Sequence, residues 1–352
     1  MRIALLTIWH SSNYGAEFQA YATVRKLMEM GHEVQVIDFR LQERRKRTSL
    51  VGKLLDFLHG CSPVSVKFKR FWKKYIPSTT YYNSIDELRI NPPKADIYIV
   101  GSDQVWNPQI TKTKAPAFFL DFAPNGAAMA SYASSIGTDK WLGDAELTAI
   151  AQQQLVRFKG LSCREQQGCR ILKEQFGVEA EFVLDPSLLH LSYHELTGRI
   201  RPKQTLAYYQ LSESTALKQF AIKKAQDMGF KYVDVNHHSQ LTPTYTWNRR
   251  SVGQWIKAIA ESQFVITHSF HGLALSLLYH RPFVIIYDSG NKVSRLISLL
   301  EMVSLENRLF LSIEEASRSD VWKETIDWQS VDNKLALHRE QSFNYLKRII
   351  TE

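Results

Sequence analysis

The chain of 352 residues is longer than a single hydrophobic core usually accommodates, which predicts two domains. Its hydrophobic fraction of 44% and charged fraction of 22% are typical of a globular protein, and no apolar run approaches the ~20 residues that span a bilayer. The apolar stretch 3–8 is too short for a signal peptide, and the three cysteines lack metal-ligand spacing. We therefore expect a cytoplasmic protein with reduced thiols.

The net charge of +9 is concentrated in residues 40–75. This segment has eleven Lys or Arg residues against Glu43 and Asp56, so it accounts for the whole positive excess. Apolar and aromatic residues interleave with the charges, and a basic amphipathic stretch of this kind can lie on an anionic membrane surface. The alternatives are a solvated insertion whose apolar side packs on its own domain and, least favoured, a nucleic-acid contact.

The first half of the chain alternates between predicted strands and helices. Strands are predicted at 3–8, 33–39, 96–100, 130–133, 161–163 and 182–184, and the clearest helix at 16–30. Gly31 follows that helix as a stop signal. A strand–helix–strand beginning predicts a parallel sheet covered by helices.

A polar and basic stretch, 190–204, separates this series from a second one. The second series has predicted strands at 205–210, 231–235, 264–267 and 283–287, and predicted helices at 214–228, 252–262, from 270, and 292–302. We therefore predict an N-terminal Rossmann-like domain over 1–195, with a basic insertion at 40–75. A C-terminal Rossmann-like domain follows over 200–330, and a helix in 331–352 is expected to cross back to the first domain.

Clusters of polar residues follow almost every predicted strand. They are 11–19, 101–106, 134–137, 163–165, 185–186, 236–238 and 267–272. Each alone is ordinary turn chemistry, but ligands of open α/β sheets bind at the carboxyl ends of the strands. The joint pattern predicts an α/β protein in which two Rossmann-like domains face one cleft.

These clusters are suited to binding an anion. Arg164 begins a helix and can bind a carboxylate or phosphate through two donors, and helix N-termini offer backbone N–H groups. The chain has neither a P-loop nor a dinucleotide-binding glycine motif. His268 and His271 suit proton transfer near neutral pH, although each is alternatively a structural residue of its turn. No carboxylate or cysteine completes a metal-ligand set with them, so no metal site is predicted.

Six motifs carry a resemblance to a known family. The stretches NYG…FQAYA (13–22), GSDQVWNP (101–108), SYASSIG (131–137), SCREQQG (162–168), VLDPSLL (183–189) and THSFHGLALS (267–276) resemble the polysaccharide pyruvyl transferase family. The resemblance implies a GT-B-like fold. It also implies transfer of the pyruvyl group of phosphoenolpyruvate onto two hydroxyls of one sugar, giving a cyclic ketal and phosphate, with no further cofactor.

The resemblance also implies roles for individual residues. His271 falls on the family's donor-site histidine, as acid/base or phosphate partner, with His268 as a second catalytic candidate. The expected donor-binding residues are Arg164, Ser269, Phe270, Gly272 and Arg295. The expected acceptor-binding residues are Asn13, Gln19, Asp103 and Gln104.

The chain departs from the family pattern at one position. Some members carry Arg-x-His where this chain has Ser269-Phe270-His271, so one donor-site guanidinium is missing. Arg295 is the nearest candidate to replace it, and its alternative role is that of a solvent-facing helix residue.

Two other functions stay open at this level. A glycosyltransferase of the same fold would bind a nucleotide, and a non-catalytic glycan-binding protein would tolerate loss of His271. The pyruvyl-transfer hypothesis expects phosphoenolpyruvate and a glycan acceptor as partners. In one version of this hypothesis, the acceptor is linked to a lipid pyrophosphate. Residues 40–75 would then contact the inner membrane surface.

Overall fold

A computed structural model describes residues 1–10, 13–41, 63–212, 214–236, 249–287 and 293–351. The chain divides into two compact units. The first comprises Met1–Arg45, Trp72–His190 and Ala336–Glu352, and the second comprises Lys46–Phe71 and Leu191–Leu335. Each unit has its own five-stranded parallel sheet.

The sheet of the first unit has the strand order of a Rossmann fold. Its strands are β1 (Arg2–Leu6), β2 (Glu33–Asp38), β3 (Ser78–Tyr81), β4 (Ile97–Val100) and β5 (Ala128–Ser131). They pair in the order β3-β2-β1-β4-β5, with Ile3 opposite both Val34 and Ile97. A short parallel pair, β6 (Ser162–Cys163) and β7 (Glu181–Phe182), is linked to β5 by an isolated bridge between Ala130 and Gly160. The strands predicted near 3–8, 33–39, 96–100, 130–133 and 161–163 are confirmed.

Helices alternate with these strands. They are α1 (Tyr14–Glu29), α2 (Pro63–Tyr75), α3 (Ile85–Ile90), α4 (Pro108–Thr111), α5 (Ala145–Leu155) and α6 (Gln166–Phe176). The α1 helix begins where the Asn13 side chain accepts a hydrogen bond from the Gly15 N–H. It ends before Gly31, whose φ of +86° is the left-handed conformation that favours glycine after a helix.

The second unit has a different strand order. Its strands are β8 (Thr205–Tyr209), β9 (Lys231–Asp234), β10 (Phe264–Thr267), β11 (Phe283–Ile286) and β12 (Leu309–Phe310). They are parallel in the order β12-β11-β10-β8-β9. Helices α7 (His194–Thr197), α8 (Thr215–Asp227), α9 (Val252–Ala260), α10 (Phe270–Leu278), α11 (Ser294–Val303) and α12 (Ile313–Arg318) connect them. The four strands predicted in this region are confirmed.

The last helix, α13 (Trp328–Thr351), contributes to both units. From Ala336 onward it belongs to the first unit. There the Tyr345 hydroxyl donates to the Ser131 carbonyl at 2.8 Å, and the Ser342 hydroxyl accepts from the Leu184 N–H at 2.9 Å. These contacts attach α13 to the strand ends of β5 and β7.

Each sheet has one position, which we call the reversal point, from which the chain connections run in opposite directions along the sheet. In the first sheet it lies between β1 and β4, and in the second between β8 and β10. Ligands of doubly wound sheets bind outside the carboxyl ends of the strands at this point. The segments that leave those strands are therefore the first places to look for a site.

The basic segment predicted at 40–75 is described only in part, because residues 42–62 lie outside the described residues. Its final portion is α2, whose Phe68 and Phe71 are buried while Lys69, Arg70 and Lys73 are exposed. None of the helices that the structure describes is long and apolar enough to cross a bilayer.

Candidate functional site

The reversal point of the first sheet is closed by side chains from three elements. The Thr7 hydroxyl, just after β1, donates to the Ser102 carbonyl, just after β4, at 2.7 Å. The Gln19 amide of α1 donates to the Thr7 hydroxyl at 3.0 Å. The exits of the two central strands are therefore held together by buried hydrogen bonds.

Arg164 lies directly beside this point and is completely buried. Its Nη1 donates to Asp185 Oδ2 at 2.7 Å and to the Ser102 hydroxyl at 3.3 Å, and its Nη2 donates to Asp103 Oδ1 at 3.2 Å. The side chains of Arg164 and Asp185 are fully inaccessible, whereas that of Asp103 is 16% exposed. The arginine is thus an internal cation with one buried and one partly exposed carboxylate partner.

The charges in this cluster stabilise one another. Burial acts to lower the pKa of Arg164, but the carboxylates of Asp185 and Asp103 outweigh it, so the pKa lies above its ordinary value. Asp185 is itself held in place, because its Oδ1 accepts from both the N–H and the hydroxyl of Ser187. A buried pair with this many hydrogen bonds has a fixed geometry.

Asp103 and Gln104 lie in a strained turn after β4. Asp103 has a φ of +78°, an uncommon left-handed conformation for a non-glycine residue, and its Oδ1 also accepts from the Gln104 N–H at 2.8 Å. The Gln104 side chain packs against Gly137, where an added Cβ would lie 2.4 Å from Gln104 Oε1. Strained backbone of this kind persists where the surroundings determine it, and it clusters at functional sites.

Glu165 belongs to the same cluster and was given no role in the sequence-based prediction. It is buried, and its Oε1 accepts from the N–H groups of Ile136 and Gly137 at 2.9 and 3.1 Å. Its Oε2 is buried and has no hydrogen-bond partner among the described residues. In the sequence, the one indication that Glu165 belongs to the site was its position next to Arg164, at the end of β6.

Asn13 and Gln19 occupy different environments from one another. Asn13 is exposed at the start of α1, where its Oδ1 caps the helix. Gln19 is fully buried, and its Nε2 donates to Thr7 and to the carbonyls of Ile8 and Ala16. Its amide nitrogen thus joins the two residues that follow β1 to the first turn of α1, and its Oε1 lacks a partner among the described residues.

A second group in the first unit was not predicted from the sequence. His10 follows β1 with a φ of +60°, and its ring centroid lies 4.1 Å from that of Trp9 and 3.7 Å from that of Trp72. Its Nε2 is 3.9 Å from the carboxylate of Asp38, at the end of β2, which Arg40 binds through two hydrogen bonds. The only sequence signal was a histidine at the end of an apolar strand.

The reversal point of the second sheet is organised by Thr267, the last residue of β10. Its hydroxyl donates to the Tyr209 carbonyl of β8 at 2.6 Å and accepts from the Ser269 N–H at 3.0 Å. An added Cβ at Gly272 would lie 2.3 Å from this hydroxyl. The glycine is therefore required for the first turn of α10 to pack on the end of β10.

The two histidines of this turn have different surroundings. The Leu211 N–H, after β8, donates to His268 Nε2 at 2.9 Å, so this nitrogen acts as an acceptor and carries no proton. His271 is the second residue of α10, and 7% of it is exposed. The predicted site residues His268, Ser269, Phe270, His271 and Gly272 are consecutive, and they lead from the end of β10 into the first turn of α10.

Arg295 lies on the next strand connection of the same sheet. It is the second residue of α11, which follows β11, the neighbour of β10, and it is half-buried. Within the described ranges, no three His, Cys, Asp or Glu side chains lie together as a metal-binding group.

Comparisons with known proteins agree with this architecture. The chain is similar in structure to the spinosyn forosaminyltransferase SpnP, with a TM-score of 0.50 and 14% identity over 100% of each chain. It is also similar to S. aureus MnaA in a structure with UDP, with a TM-score of 0.53 and 11% identity over 100% of this chain and 98% of that one. At such identities the likeness shows the fold alone, and it confirms the prediction of a GT-B-like α/β protein. No curated protein matches the sequence.

The family comparison is more specific. The family model for polysaccharide pyruvyl transferase matches residues 13–290. This range includes the residues that follow β4, β8 and β10 but not those directly after β1. It includes every predicted site residue except Arg295. Because the match covers most of its length, the chain belongs to the polysaccharide pyruvyl transferase family and is a transferase.

Proposed function

We propose that the protein transfers the pyruvyl group of phosphoenolpyruvate onto two hydroxyls of one sugar residue in a surface polysaccharide, forming a cyclic ketal. The observation that carries this proposal is the β10–α10 turn at the reversal point of the second sheet. It combines a helix N-terminus, the Ser269 hydroxyl and His271, which together suit an anionic substrate that must be protonated.

Phosphoenolpyruvate carries a carboxylate and a phosphate on the same carbon, so its binding requires several donors. The first turn of α10 supplies backbone N–H groups, and Arg295 at the start of α11 supplies a guanidinium on the same edge of the sheet. Arg295 would thereby replace the arginine that some family members carry at the position of Ser269. Both features belong to the second unit.

Arg164 keeps a donor-binding role in this proposal through one of its two ion pairs with carboxylates. The bond to Asp185 is short and buried, whereas the 3.2 Å bond to Asp103 leads to the partly exposed carboxylate. A substrate carboxylate or phosphate can therefore replace Asp103 at Nη2 while Asp185 keeps the guanidinium in place.

The reaction proceeds in two balanced steps. In the first, a proton adds to the methylene carbon of phosphoenolpyruvate and a sugar hydroxyl oxygen forms a bond to the central carbon, losing its own proton. In the second, a neighbouring hydroxyl oxygen bonds to the same carbon, the carbon–oxygen bond to phosphate breaks, and inorganic phosphate leaves with the second proton. One general acid and one base are sufficient for both steps.

We assign the acid to His271. His268 is less suited, because its Nε2 accepts a hydrogen bond from the Leu211 N–H and its ring is thereby oriented within the turn. For the acceptor we propose the first unit, where Asp103 and Gln104 are partly exposed at the end of β4 and Asn13 is exposed at the start of α1. Gln19 would act there through Oε1.

Thermal unfolding with separate ligands tests the proposal. Phosphoenolpyruvate should raise the melting temperature by several degrees because it binds the folded state, whereas UDP, GDP and CMP should not. The His271→Asn variant should lose this rise. The matched control is His280→Asn, because His280 is a half-exposed histidine of the same unit that pairs with Asp332.

Two results would count against the proposal. Stabilisation by a nucleotide and not by phosphoenolpyruvate would favour a glycosyltransferase that uses a nucleotide sugar. If phosphoenolpyruvate raised the melting temperature of His271→Asn as much as that of the native protein, the β10–α10 turn would not be part of the donor site.

A further inference from the structure

His10 and the groups around it form a compact cluster at the carboxyl edge of the first sheet. The histidine follows β1, and its ring centroid lies 4.1 Å from that of Trp9 and 3.7 Å from that of Trp72. All three residues belong to the first unit. Because ligands of doubly wound sheets bind at this edge, the cluster lies where we propose the acceptor.

The two indoles that contact His10 are themselves held by hydrogen bonds. Trp9 is 3% exposed, and its indole N–H donates to the Ile37 carbonyl of β2 at 3.2 Å. The Trp72 indole N–H donates at 2.5 Å to the carboxylate of Glu17, a buried residue of α1. Contacts with fixed neighbours restrict the orientation of the His10 ring, as a catalytic side chain requires.

A carboxylate faces the same ring. His10 Nε2 lies 3.9 Å from Oδ2 of Asp38, the last residue of β2, and only 8% of the Asp38 side chain is exposed. Arg40 fixes this carboxylate by donating to both of its oxygens at 2.7 Å. A carboxylate beside a histidine stabilises the imidazolium that forms when the ring takes up a proton.

The backbone of His10 has a conformation that a histidine seldom adopts. Its φ of +60° lies in the left-handed region, which favours glycine and asparagine. Strain of this kind persists where the surroundings determine it, and it clusters at functional sites. About 10% of the side chain is exposed, so the ring is held in place and can still be reached by a substrate.

We propose that His10 is the base that takes the proton from the attacking hydroxyl of the acceptor. The assignment rests on the proposed pyruvyl transfer, which requires one base besides the acid His271. The acceptor sugar would then contact the partly exposed Trp72, since aromatic side chains with a few placed polar groups are typical of ligand sites.

The protons balance with this assignment. As the hydroxyl oxygen bonds to the central carbon of phosphoenolpyruvate, its O–H bond breaks and the proton passes to the ring of His10. The proton from His271 forms the third carbon–hydrogen bond of the new methyl group. The proton of the second hydroxyl leaves with phosphate, after which His10 releases a proton to water and His271 takes one up.

Replacement of His10 by glycine, followed by chemical rescue, tests the proposal. Glycine adopts a φ of +60° without strain and leaves the space of the ring open. The assay is phosphate release from phosphoenolpyruvate with methyl glycosides of glucose, galactose and mannose as acceptors. We expect kcat to fall by about 10²–10⁴-fold and added imidazole to raise it by at least about tenfold.

Two further comparisons separate the base from a ring that only fills space. Pyrazole has the shape of imidazole but is a much weaker base, so it should not restore turnover to His10→Gly. His10→Asn keeps a residue that tolerates the left-handed conformation, and it should lose as much kcat as His10→Gly. Both variants should keep the rise in melting temperature with phosphoenolpyruvate, because His10 is not part of the proposed donor site.

The matched control is His280→Gly. His280 also has a positive φ, of +52°, its ring stacks on Trp328 at 5.0 Å, and its Nε2 lies 2.9 Å from the Asp332 carboxylate. It differs in its place in the fold, because it lies between the end of α10 and the amino end of β11. We expect this variant to keep its turnover and to show no response to imidazole.

Three outcomes would overturn the proposal. One is recovery with pyrazole equal to that with imidazole, which would mean that the ring only fills space. Another is a kcat within about tenfold of the native value in both His10 variants. The third is loss of the response to phosphoenolpyruvate in both of them, which would assign the ring to donor binding. Absence of this response in the native protein would instead contradict the proposed function, and the base assignment with it.

Discussion

The carboxylate of Asp185 lies 2.7 Å from the guanidinium of Arg164, and both side chains are completely excluded from solvent. Removing one partner of such a pair leaves an uncompensated charge in the interior, which typically costs about 3–5 kcal/mol. We therefore expect Arg164→Met to lower the free energy of unfolding by this amount, measured by urea denaturation.

A double variant separates the structural from the catalytic role of Arg164. In Arg164→Met/Asp185→Asn the buried charge is gone, while the asparagine oxygen can still accept from Ser187. We expect it to recover a large part of the lost stability but to show no melting-temperature response to phosphoenolpyruvate. A stable double variant with the native response would show that Arg164 is structural only.

The sequence predicted which residues follow the strands, but not which of their side chains contact one another. Five of the seven polar clusters, 101–106, 134–137, 163–165, 185–186 and 267–272, lie at the carboxyl ends of strands, as the clear periodicity of the buried strands predicted. The clusters 11–19 and 236–238 extend into residues outside the described ranges. The partners of Arg164 are 61 and 21 residues away, at Asp103 and Asp185, and only the parallel sheet brings them together. Residue type alone suggested an arginine that binds a carboxylate or phosphate, and the fold places two carboxylates of the chain itself against it.

Two strands and one histidine were missed for a similar reason. β3 has the sequence STTY at the sheet edge, and it alternates between exposed and half-buried positions without an apolar run. β12 has two residues, too few for any periodicity. His10 is recognisable only from its ring contacts with Trp9, its neighbour in the sequence, and with Trp72, which is far away in the sequence.

The two histidines of the β10–α10 turn should differ in their effect on turnover. His271→Asn removes the proposed acid, so we expect kcat to fall by about 10²–10⁴-fold. His268→Gln keeps an oxygen that can accept from the Leu211 N–H, so we expect a loss of less than about tenfold. The assay is acceptor-dependent release of phosphate from phosphoenolpyruvate, and equal losses in the two variants would refute the assignment of the acid to His271.

Gly272→Ala should destabilise the second unit although alanine is the better helix former. The substitution should gain about 1 kcal/mol in helix propensity, but the new Cβ would lie 2.3 Å from the Thr267 hydroxyl. Overpacking of this kind costs about 1–3 kcal/mol, and it would displace the hydroxyl from the Tyr209 carbonyl. We expect a lower melting temperature and loss of the response to phosphoenolpyruvate.

The control for this substitution is Gly229→Ala. Its added methyl group meets no atom within 4 Å, but its φ of +70° strains an alanine. We expect it to lose stability through the backbone while keeping the response to phosphoenolpyruvate. The same loss of response in both variants would mean that stability, and not the packing of Gly272 on Thr267, controls the donor site.

His190 should make the protein less stable in mild acid. Burial lowers its pKa to about 4, opposed by the hydrogen bond to the Ala22 carbonyl and reinforced by Arg25 and Lys26. The unfolded chain takes up this proton near pH ~6.5, whereas the folded protein does not until about pH 4, so stability falls as the pH decreases through this window. The full effect amounts to about 3 kcal/mol at most.

The comparison of the native protein with His190→Gln isolates this contribution. Glutamine cannot be protonated, and its amide can still donate to the Ala22 carbonyl that His190 contacts at 2.9 Å. His32 and His338, whose pKa values burial also lowers, are present in both proteins and cancel in the difference. We expect urea denaturation at pH 7, 6 and 5 to give a shallower decline for His190→Gln, and parallel declines would mean that folding does not lower the pKa of His190.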